Sequence, residues 1–239
     1  FIFFSFLNAA EVPSSDVVFQ KMIEKDAAIH KELQSWEYLQ EVKNWVEKKP
    51  GTPSDLEEFK VRVRPRNETS FMILNPQGMW IHGGTPDNDL AKKGRGIQRN
   101  IALASLDTLR QSFDFHGMGV EKRGTFECYR FHLTPKSDFK PKSRIDKVMK
   151  EVEADLWVDL QDYSVLEVNA VLGKPTQVAW LLATVQELHF SYQTMATSIG
   201  RVMAGFDLDL KLDAVSGKSV QYRRVRMSDF KNNPSQDIW

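Results

Sequence analysis

The chain has 239 residues, with 32 Lys and Arg against 32 Asp and Glu, and a single cysteine. The balanced charge gives no electrostatic reason to expect a nucleic acid as the main partner, because phosphate binding needs a surplus of Lys and Arg on some face. One cysteine excludes an internal disulfide and a thiolate metal cluster. The length suits one all-β or mixed domain better than two small ones, and it can bury a sizeable core.

The first segment, Phe1 to Leu7, is a dense apolar run that ends in Asn8-Ala9-Ala10. This pattern is typical of the tail of a secretory signal peptide with a small-residue cleavage site. A buried first strand is the alternative. We therefore expect residues 1–10 to be a signal-peptide remnant and residues 11–239 to form a single domain of an exported, soluble protein.

Helical periodicity comes next and then gives way to strands. Apolar residues recur at helical spacing from Ser14 to Leu33, which predicts an amphipathic helix. From Trp36 to Val46 the period changes to two residues, which predicts a half-buried strand, with a helix continuing to Lys48 as the alternative. Pro50-Gly51-Thr52-Pro53 predicts a turn.

The rest of the chain reads mostly as strands. Two more helices are expected, one over 97–112 and a short one that begins at the capping-box sequence Ser143-Arg144-Ile145-Asp146 and includes Val148, Met149 and Val152 on one face. Further strands are predicted at 59–64, 71–74, 79–82, 113–120, 126–134, 156–160, 165–172, 189–193, 206–213 and 220–222. About eleven strand candidates and three helices without a βαβ rhythm predict an antiparallel sheet and an α+β fold.

The usual catalytic signatures are absent from the sequence. Gly217-Lys218-Ser219 lacks the upstream glycine of a phosphate-binding loop, and the five histidines lack the short spacing that places two imidazoles on one metal. Cys128 and His132 share a strand face but lie roughly 13 Å apart by strand rise, too far for a thiolate–imidazole pair. No spacing brings a histidine and a carboxylate together, as a secreted hydrolase would need. We therefore expect no catalytic residue, cofactor or metal site.

Charged residues also alternate along some of the predicted strands. The basic face comprises Lys60, Arg62, Arg64 and Arg66, the acidic face comprises Asp207, Asp209 and Asp213, and a second arginine group comprises Arg223, Arg224 and Arg226. The simplest interpretation is outer-face charge that keeps a sheet soluble. The alternatives are a docking patch for anionic lipid head groups or an acidic partner, and a calcium or general-acid site on the aspartates.

Large apolar residues exceed what three helices require, and many fall on the dry faces of strands. They can form an ordinary core, or they can line a cavity for a long apolar ligand. The second use has a physical reason, because each CH₂ left in water costs ~0.8 kcal/mol and an acyl chain must be covered to cross an aqueous compartment. The candidate lining residues, taken from strand alternation, are Trp36, Tyr38, Phe59, Val61, Phe71, Tyr129, Phe131, Phe206, Leu208 and Leu210.

Three segments resemble a known family. They are Cys128-Tyr129-Arg130-Phe131-His132-Leu133-Thr134-Pro135-Lys136, Leu156-Trp157-Val158-Asp159 and Val165-Leu166-Glu167-Val168. They are similar to motifs of the periplasmic outer-membrane lipoprotein-sorting superfamily, which includes the LolA/LolB-type carriers and uncharacterised exported relatives. The resemblance extends over roughly residues 36–230, with its moderately specific motifs between Cys128 and Leu172. An arginine that the LolA carriers hold near the first strands has no counterpart between Trp36 and Trp45.

The resemblance implies an incomplete antiparallel β-barrel wrapped around a few helices, with an apolar half-barrel cavity and no enzyme activity. It implies a periplasmic carrier that binds an acyl chain of a lipid or lipoprotein and transfers it toward the outer membrane, possible partners being a membrane-associated donor or acceptor protein. The alternative is an exported regulatory, sensor or structural domain of the same fold that transports no lipid.

Overall fold

The computed structural model describes residues 13–67, 70–74, 78–82, 106–179 and 183–232. Within these ranges the helices are α1 (Ser15–Leu33), α2 (Leu106–Ser112) and α3 (Arg144–Met149). The strands are β1 (Trp36–Lys49), β2 (Thr52–Asn67), β3 (Ser70–Leu74), β4 (Trp80–His82), β5 (Phe113–Arg123), β6 (Phe126–Pro135), β7 (Val152–Asp159), β8 (Val165–Leu172), β9 (Thr176–Ala179), β10 (Ala183–Thr197), β11 (Gly200–Ala214) and β12 (Gly217–Asn232).

The described strands form a single sheet in which every pairing is antiparallel. Their order is β4-β3-β2-β1-β12-β11-β10-β8-β7-β6-β5, and the short β9 pairs with β10. In the described part of the chain β4 and β5, at the two ends of this order, do not pair with each other, so the sheet is open rather than closed into a barrel. The predicted α+β fold with an incomplete antiparallel barrel is confirmed.

Helix α1 packs across one face of this sheet, which we call the inner face. Val18 and Met22 are fully buried and Ile29 is 7% exposed, as the helical periodicity predicts. A Cβ on Gly117 of β5 would lie 2.7 Å from Ser15 Cβ, and one on Gly200 of β11 would lie 3.0 Å from Ile29 Cδ1. Both ends of α1 therefore approach the sheet where glycine leaves room for the helix.

Three local predictions are decided by the structure. Residues 36–49 form a strand and not a continued helix, with Trp36, Tyr38 and Val42 buried on one side. The capping box is present, because Ser143 Oγ accepts from Asp146 N and Asp146 Oδ2 accepts from Ser143 N. The expectation that Val152 continues the face of α3 is wrong: the residue begins β7 opposite Leu172 and is 3% exposed.

The second predicted helix is described only over Leu106–Ser112; residues 97–105 lie outside the described ranges. The strands at the end of the chain are longer than predicted. Residues 189–193 are the middle of β10, and 220–222 lie within β12.

The inner face carries two apolar clusters. The helix cluster joins α1 to β5, β6, β7 and β8, and its buried members include Val18, Met22, Phe131 and Leu156. The β1/β12 cluster has as its buried members Tyr38, Val42, Val61, Val63, Ile73, Phe206, Val225 and Met227. Phe190 and Tyr192 of β10 pack against both clusters, so the two form one continuous apolar layer.

Candidate functional site: the inner face of the sheet

Strand register aligns the inner-face side chains in rows that cross the sheet. Residues directly opposite each other in antiparallel strands have neighbouring side chains on the same face. One row is apolar along its whole length and runs Phe59, Val42, Val225, Phe206, Tyr192, Val168, Leu156, Phe131 and Gly117. It links the two clusters from β2 to β5, which gives the inner face a continuous apolar surface.

The next row has a different composition at one end. It runs Glu57, Asn44, Arg223, Leu208, Phe190, Ala170, Ala154, Leu133 and Phe115. The first three residues, on β2, β1 and β12, are polar or charged, and the six that follow are apolar. We call Glu57, Asn44 and Arg223 the polar end of the row. The row is therefore amphipathic along its length.

The structure places nine of the ten predicted lining residues on the inner face by strand alternation and cluster membership. Six of them are buried, namely Trp36, Tyr38, Val61, Tyr129, Phe131 and Phe206. Three are half-buried, namely Phe59, Leu208 and Leu210. Phe71 lies in β3 opposite Pro65, and its side chain is outside the description. Tyr129 and Phe131 belong to the helix cluster, whereas Tyr38, Val61 and Phe206 belong to the β1/β12 cluster.

At the polar end, two buried side-chain atoms have no hydrogen-bond partner among the described residues. Asn44 Nδ2 donates to Glu57 Oε2 at 3.2 Å. Asn44 Oδ1 and Arg223 Nε are both buried, and neither has a hydrogen-bond partner among the described residues. Burial lowers the pKa of the Arg223 guanidinium, and the nearby carboxylate of Glu57 opposes that shift. A desolvated arginine and a desolvated amide carbonyl thus lie on neighbouring strands.

A further polar side chain lies on the same strand face. Gln40 of β1 is 1% exposed, and its Oε1 has no partner among the described residues. It stands opposite Val61 on β2 and Met227 on β12, inside the β1/β12 cluster. Sequence alternation predicted the apolar residues of this cluster on β1, β2 and β11, whereas Val225 and Met227 lie beyond the last predicted strand. It did not predict the polar residues, because Gln40, Asn44 and Arg223 weaken an apolar pattern instead of adding to it.

The outer face carries the charges that the sequence placed on strands. Lys60 pairs with Glu41, Arg64 with Glu37 at 3.1 Å, and Arg62 with Asp229 at 2.7 Å. The side chain of Arg66 lies outside the description.

The acidic face is paired in the same way as the basic one. Arg226 pairs with Asp207 at 2.6 Å and Arg224 with Asp209 at 2.5 Å. Arg223 thus lies on the opposite face from Arg224, although the two are adjacent in sequence. The mutual pairing agrees with the interpretation of Asp207, Asp209, Arg224 and Arg226 as solvated outer-face charge. That interpretation is wrong for Arg223, which lies on the inner face opposite Asn44 and Leu208.

A histidine and a carboxylate do meet on the outer face. His132 Nδ1 lies 3.1 Å from Asp155 Oδ1, and Arg130 binds the same carboxylate through Nε at 3.1 Å and a terminal nitrogen at 2.9 Å. The sequence spacing does not indicate this pair, because cross-strand register joins residues 23 positions apart. Burial alone would raise the pKa of Asp155, but the hydrogen bonds from Arg130 and His132 outweigh it and lower that pKa.

The surroundings of Cys128 do not favour a reactive thiol. Cys128 is fully buried, and burial together with Asp159 raises the pKa of its thiol, which disfavours the reactive thiolate.

In the described ranges no group of three His, Cys, Asp or Glu side chains could hold a metal ion. None of the described helices is long and apolar enough to cross a membrane.

A small recess opens beside Gly205 and is lined by Ser191, Gln193, Asp207 and Arg226. Its volume is about 40 Å³. That is close to the space of one or two water molecules and far below the several hundred Å³ of a typical ligand pocket. This recess is therefore not a binding site for an acyl chain.

Comparison with known proteins finds distant structural similarity. No family model and no curated protein matches the chain. A DUF1329 family protein from Desulfovibrio piger is 9% identical with a TM-score of 0.43, covering 93% of this chain and 94% of its own. A LolA superfamily protein from Nitrosomonas europaea is 12% identical with a TM-score of 0.41, covering 89% and 92%.

A third similar structure is a protein domain from Vibrio parahaemolyticus named for outer-membrane lipoprotein sorting, 9% identical with a TM-score of 0.42, and 93% of each chain is covered. The superfamily that the sequence resembles is thus represented among the similar structures. These similarities are too distant to carry an argument about function, which rests instead on the residues of this chain.

Proposed function

We propose that the protein is a non-enzymatic carrier that binds an acyl chain of a lipid or lipoprotein along its inner face. The observation that carries this proposal is the position of Phe59, Leu208 and Leu210. Phe59 and Leu208 are half-buried and pack against the buried β1/β12 cluster, and the half-buried Leu210 follows Leu208 on the same face of β11. They offer apolar contact area that the protein's own described core does not fully cover.

An acyl chain has the chemistry to complete this surface. Each methylene removed from water contributes ~0.8 kcal/mol, so a chain of about a dozen methylenes gains ~10 kcal/mol before the cost of ordering it. The apolar row from Phe59 to Gly117 crosses nine strands. The part of this row that borders the β1/β12 cluster, from Phe59 to Tyr192, crosses five strands, and at 4.7–4.9 Å between strands it is roughly 20 Å long, which exceeds the length of such a chain.

The proposed location in the periplasm is based on the amino-acid sequence. The apolar segment Phe1 to Leu7 is typical of an exported protein, and the motifs between Cys128 and Leu172 resemble periplasmic lipoprotein-sorting carriers. We infer a periplasmic protein that receives its ligand from, and passes it to, membrane-associated partners, in the direction of the outer membrane.

A second candidate function is a regulatory, sensor or structural domain that transports no lipid. The packing of the helix cluster favours it. Phe19 of α1 meets Phe115 edge to face with ring centroids 4.8 Å apart, and Phe131 lies 6.2 Å from both rings. This part of the inner face is a dense core. On this alternative the β1/β12 cluster would also remain a core and take up no ligand.

Uptake of a fluorescent fatty acid by the purified protein separates the two functions. We expect saturable binding by the wild-type protein. In Leu208→Asp we expect a loss of more than tenfold in affinity, because the acyl chain would have to cover a charged carboxylate on the inner face. Native mass spectrometry of protein purified from membranes should show a co-purifying lipid.

The matched control is Val171→Asp, the same chemical change at a residue of the outer face that is 46% exposed. We expect its affinity to equal that of the wild-type protein. Circular dichroism must show that both variants are folded. Absence of both uptake and co-purifying lipid in the wild-type protein would refute the carrier and leave the second function.

A further inference from the structure

We propose that Asn44, Glu57 and Arg223 bind the head group of the carried amphiphile, and that this head group is a phosphate ester bearing a primary amine, as in ethanolamine phospholipids. The inference deepens the proposed function and rests on it. It assigns the acyl chain to the apolar part of the row that begins at Leu208, and the head group to the polar end.

The first argument is placement. Asn44 stands directly opposite both Glu57 and Arg223, and Arg223 stands opposite Leu208. Polar residues therefore occupy three adjacent strands at one end of the row, and Leu208, Phe190 and Ala170 continue it on the next three. A ligand with a polar head and an apolar tail matches this order, whereas a purely apolar ligand leaves Asn44 Oδ1 and Arg223 Nε without a partner among the described residues.

The second argument is hydrogen bonding. Buried polar groups in folded proteins nearly always have partners, so each exception needs an explanation. Arg223 Nε is a buried donor and Asn44 Oδ1 a buried acceptor, both unpartnered among the described residues. A ligand that satisfies both must accept one hydrogen bond and donate another. A phosphate oxygen accepts from Arg223, and an ammonium group donates to Asn44.

The third argument is charge. Arg223 and Glu57 carry opposite charges on either side of Asn44, so the polar end has no net charge at neutral pH. A zwitterionic head group fits this arrangement, with its phosphate toward Arg223 and its ammonium toward Glu57. Nε of Arg223 is buried, and a charge-assisted hydrogen bond is strongest where water is excluded.

Three ligands that share one myristoyl chain test the head-group requirement. They are lysophosphatidylethanolamine, lysophosphatidylcholine and monomyristoylglycerol, each measured by displacement of the fluorescent fatty acid from the full chain. The choline head keeps the phosphate but has no N–H donor. We expect the wild-type protein to bind the ethanolamine lipid roughly tenfold more tightly than the choline lipid.

Two substitutions assign the contacts. Arg223→Leu should weaken both phospholipids by roughly tenfold to a hundredfold and leave monomyristoylglycerol unchanged. Asn44→Leu should remove the preference for ethanolamine over choline. The matched control is Arg224→Leu, which removes the adjacent arginine from the outer face, where it pairs with Asp209. We expect that control to keep the wild-type order of affinities.

The outcomes separate the two proposals. Equal affinity of the wild-type protein for the two phospholipids, or an Arg223→Leu variant that binds like Arg224→Leu, would overturn the head-group site while the carrier function stands. Failure of all three ligands to displace a bound probe would also overturn the head-group site, whereas absence of both probe uptake and co-purifying lipid would overturn the carrier function itself. If Arg223→Leu does not fold, Arg223→Lys tests the same contact, because it keeps the charge and loses Nε; an unchanged affinity for the phospholipids would count against the site.

Discussion

The two clusters of the inner face are built from similar apolar residues but treat buried polar groups differently. Around the helix cluster, buried polar side chains have partners: Asp159 accepts from Gln161 N at 2.9 Å, and Ser164 donates to Asp162 at 2.5 Å. Around the β1/β12 cluster, polar atoms of Gln40, Asn44 and Arg223 are buried without partners. In the described ranges every such unpartnered side-chain atom lies on β1, β2 or β12.

This difference distinguishes the part of the apolar layer that is a core from the part that is a candidate site. Leaving a buried donor or acceptor unpaired costs about 1–3 kcal/mol, so a region with several of them is less stable than its apolar content suggests. Proteins tolerate such costs where a ligand supplies the missing partners. The helix cluster therefore stabilises the fold, and we propose that the β1/β12 cluster is the part available for binding.

The largest expected effect tests this division through stability. Phe131→Ala should lower the free energy of unfolding by about 3–5 kcal/mol, because Phe131 is 1% exposed and its ring packs against Phe19, Phe115 and Tyr129. Leu208→Ala should cost about 1–2 kcal/mol, since Leu208 is half-buried. Urea unfolding measures both. Equal costs for the two variants would contradict the division.

A smaller effect is expected where α1 approaches the sheet. A Cβ on Gly117 would lie 2.7 Å from both Ser15 Cβ and the hydroxyl oxygen of Tyr129, so Gly117→Ala must displace the helix or the ring. We expect a loss of about 1–3 kcal/mol in the free energy of unfolding. Gly173→Ala is the milder comparison, because its nearest contact, Glu151 O, would lie at 3.3 Å and needs a shift of only a few tenths of an ångström, so we expect a smaller loss there. A Gly117→Ala variant as stable as the wild-type protein would mean that α1 packs less closely than described.

The smallest effect concerns the outer face and depends on pH. Asp155 has a lowered pKa in the folded protein, so the stability that it contributes is fully present above its unfolded pKa of about 3.9 and is lost as the pH falls through the lower folded pKa. Asp155→Asn should cost about 1–2 kcal/mol at pH 7, with the difference from the wild-type protein shrinking below about pH 4. Urea unfolding at a series of pH values measures the difference. A difference that stays constant down to pH 2 would assign the cost to packing rather than charge.

Local pattern was sufficient where one face of an element is dry and the other wet. The helical spacing in α1 corresponds to the observed burial, and the alternation in Phe206–Asp213 corresponds to the two faces of β11, with Phe206 and Leu208 inside and Asp207 and Asp209 paired outside. The lengths of two strands were underestimated because the contrast between a dry and a wet face is weak near their ends. Near the ends of β10 and β12, polar residues alternate with half-buried ones. Such segments resemble loops in the sequence, and they form strands only because a neighbouring strand pairs with them.

The candidate site was predictable only in its apolar part. Nothing local indicates that Asn44 faces Arg223, because the two are far apart in sequence and meet only through the pairing of β1 with β12. Likewise, His132 meets Asp155 through the pairing of β6 with β7. Register is a property of the assembled sheet, so side-chain constellations built from several strands appear only when the strand order is known.

The position of β1 between β2 and β12 has a consequence for how the chain folds. One edge of β1 can pair at once with β2, its neighbour in sequence, but the other edge must wait for β12, the last strand described. Contacts between distant parts of a chain form slowly, because a long loop must close before they contribute. During synthesis the β5–β8 strands can assemble early, while β1 keeps one edge unpaired. We therefore expect the docking of β12 to be a late step in folding, and chains that stop short of it to expose a strand edge on which aggregation can begin.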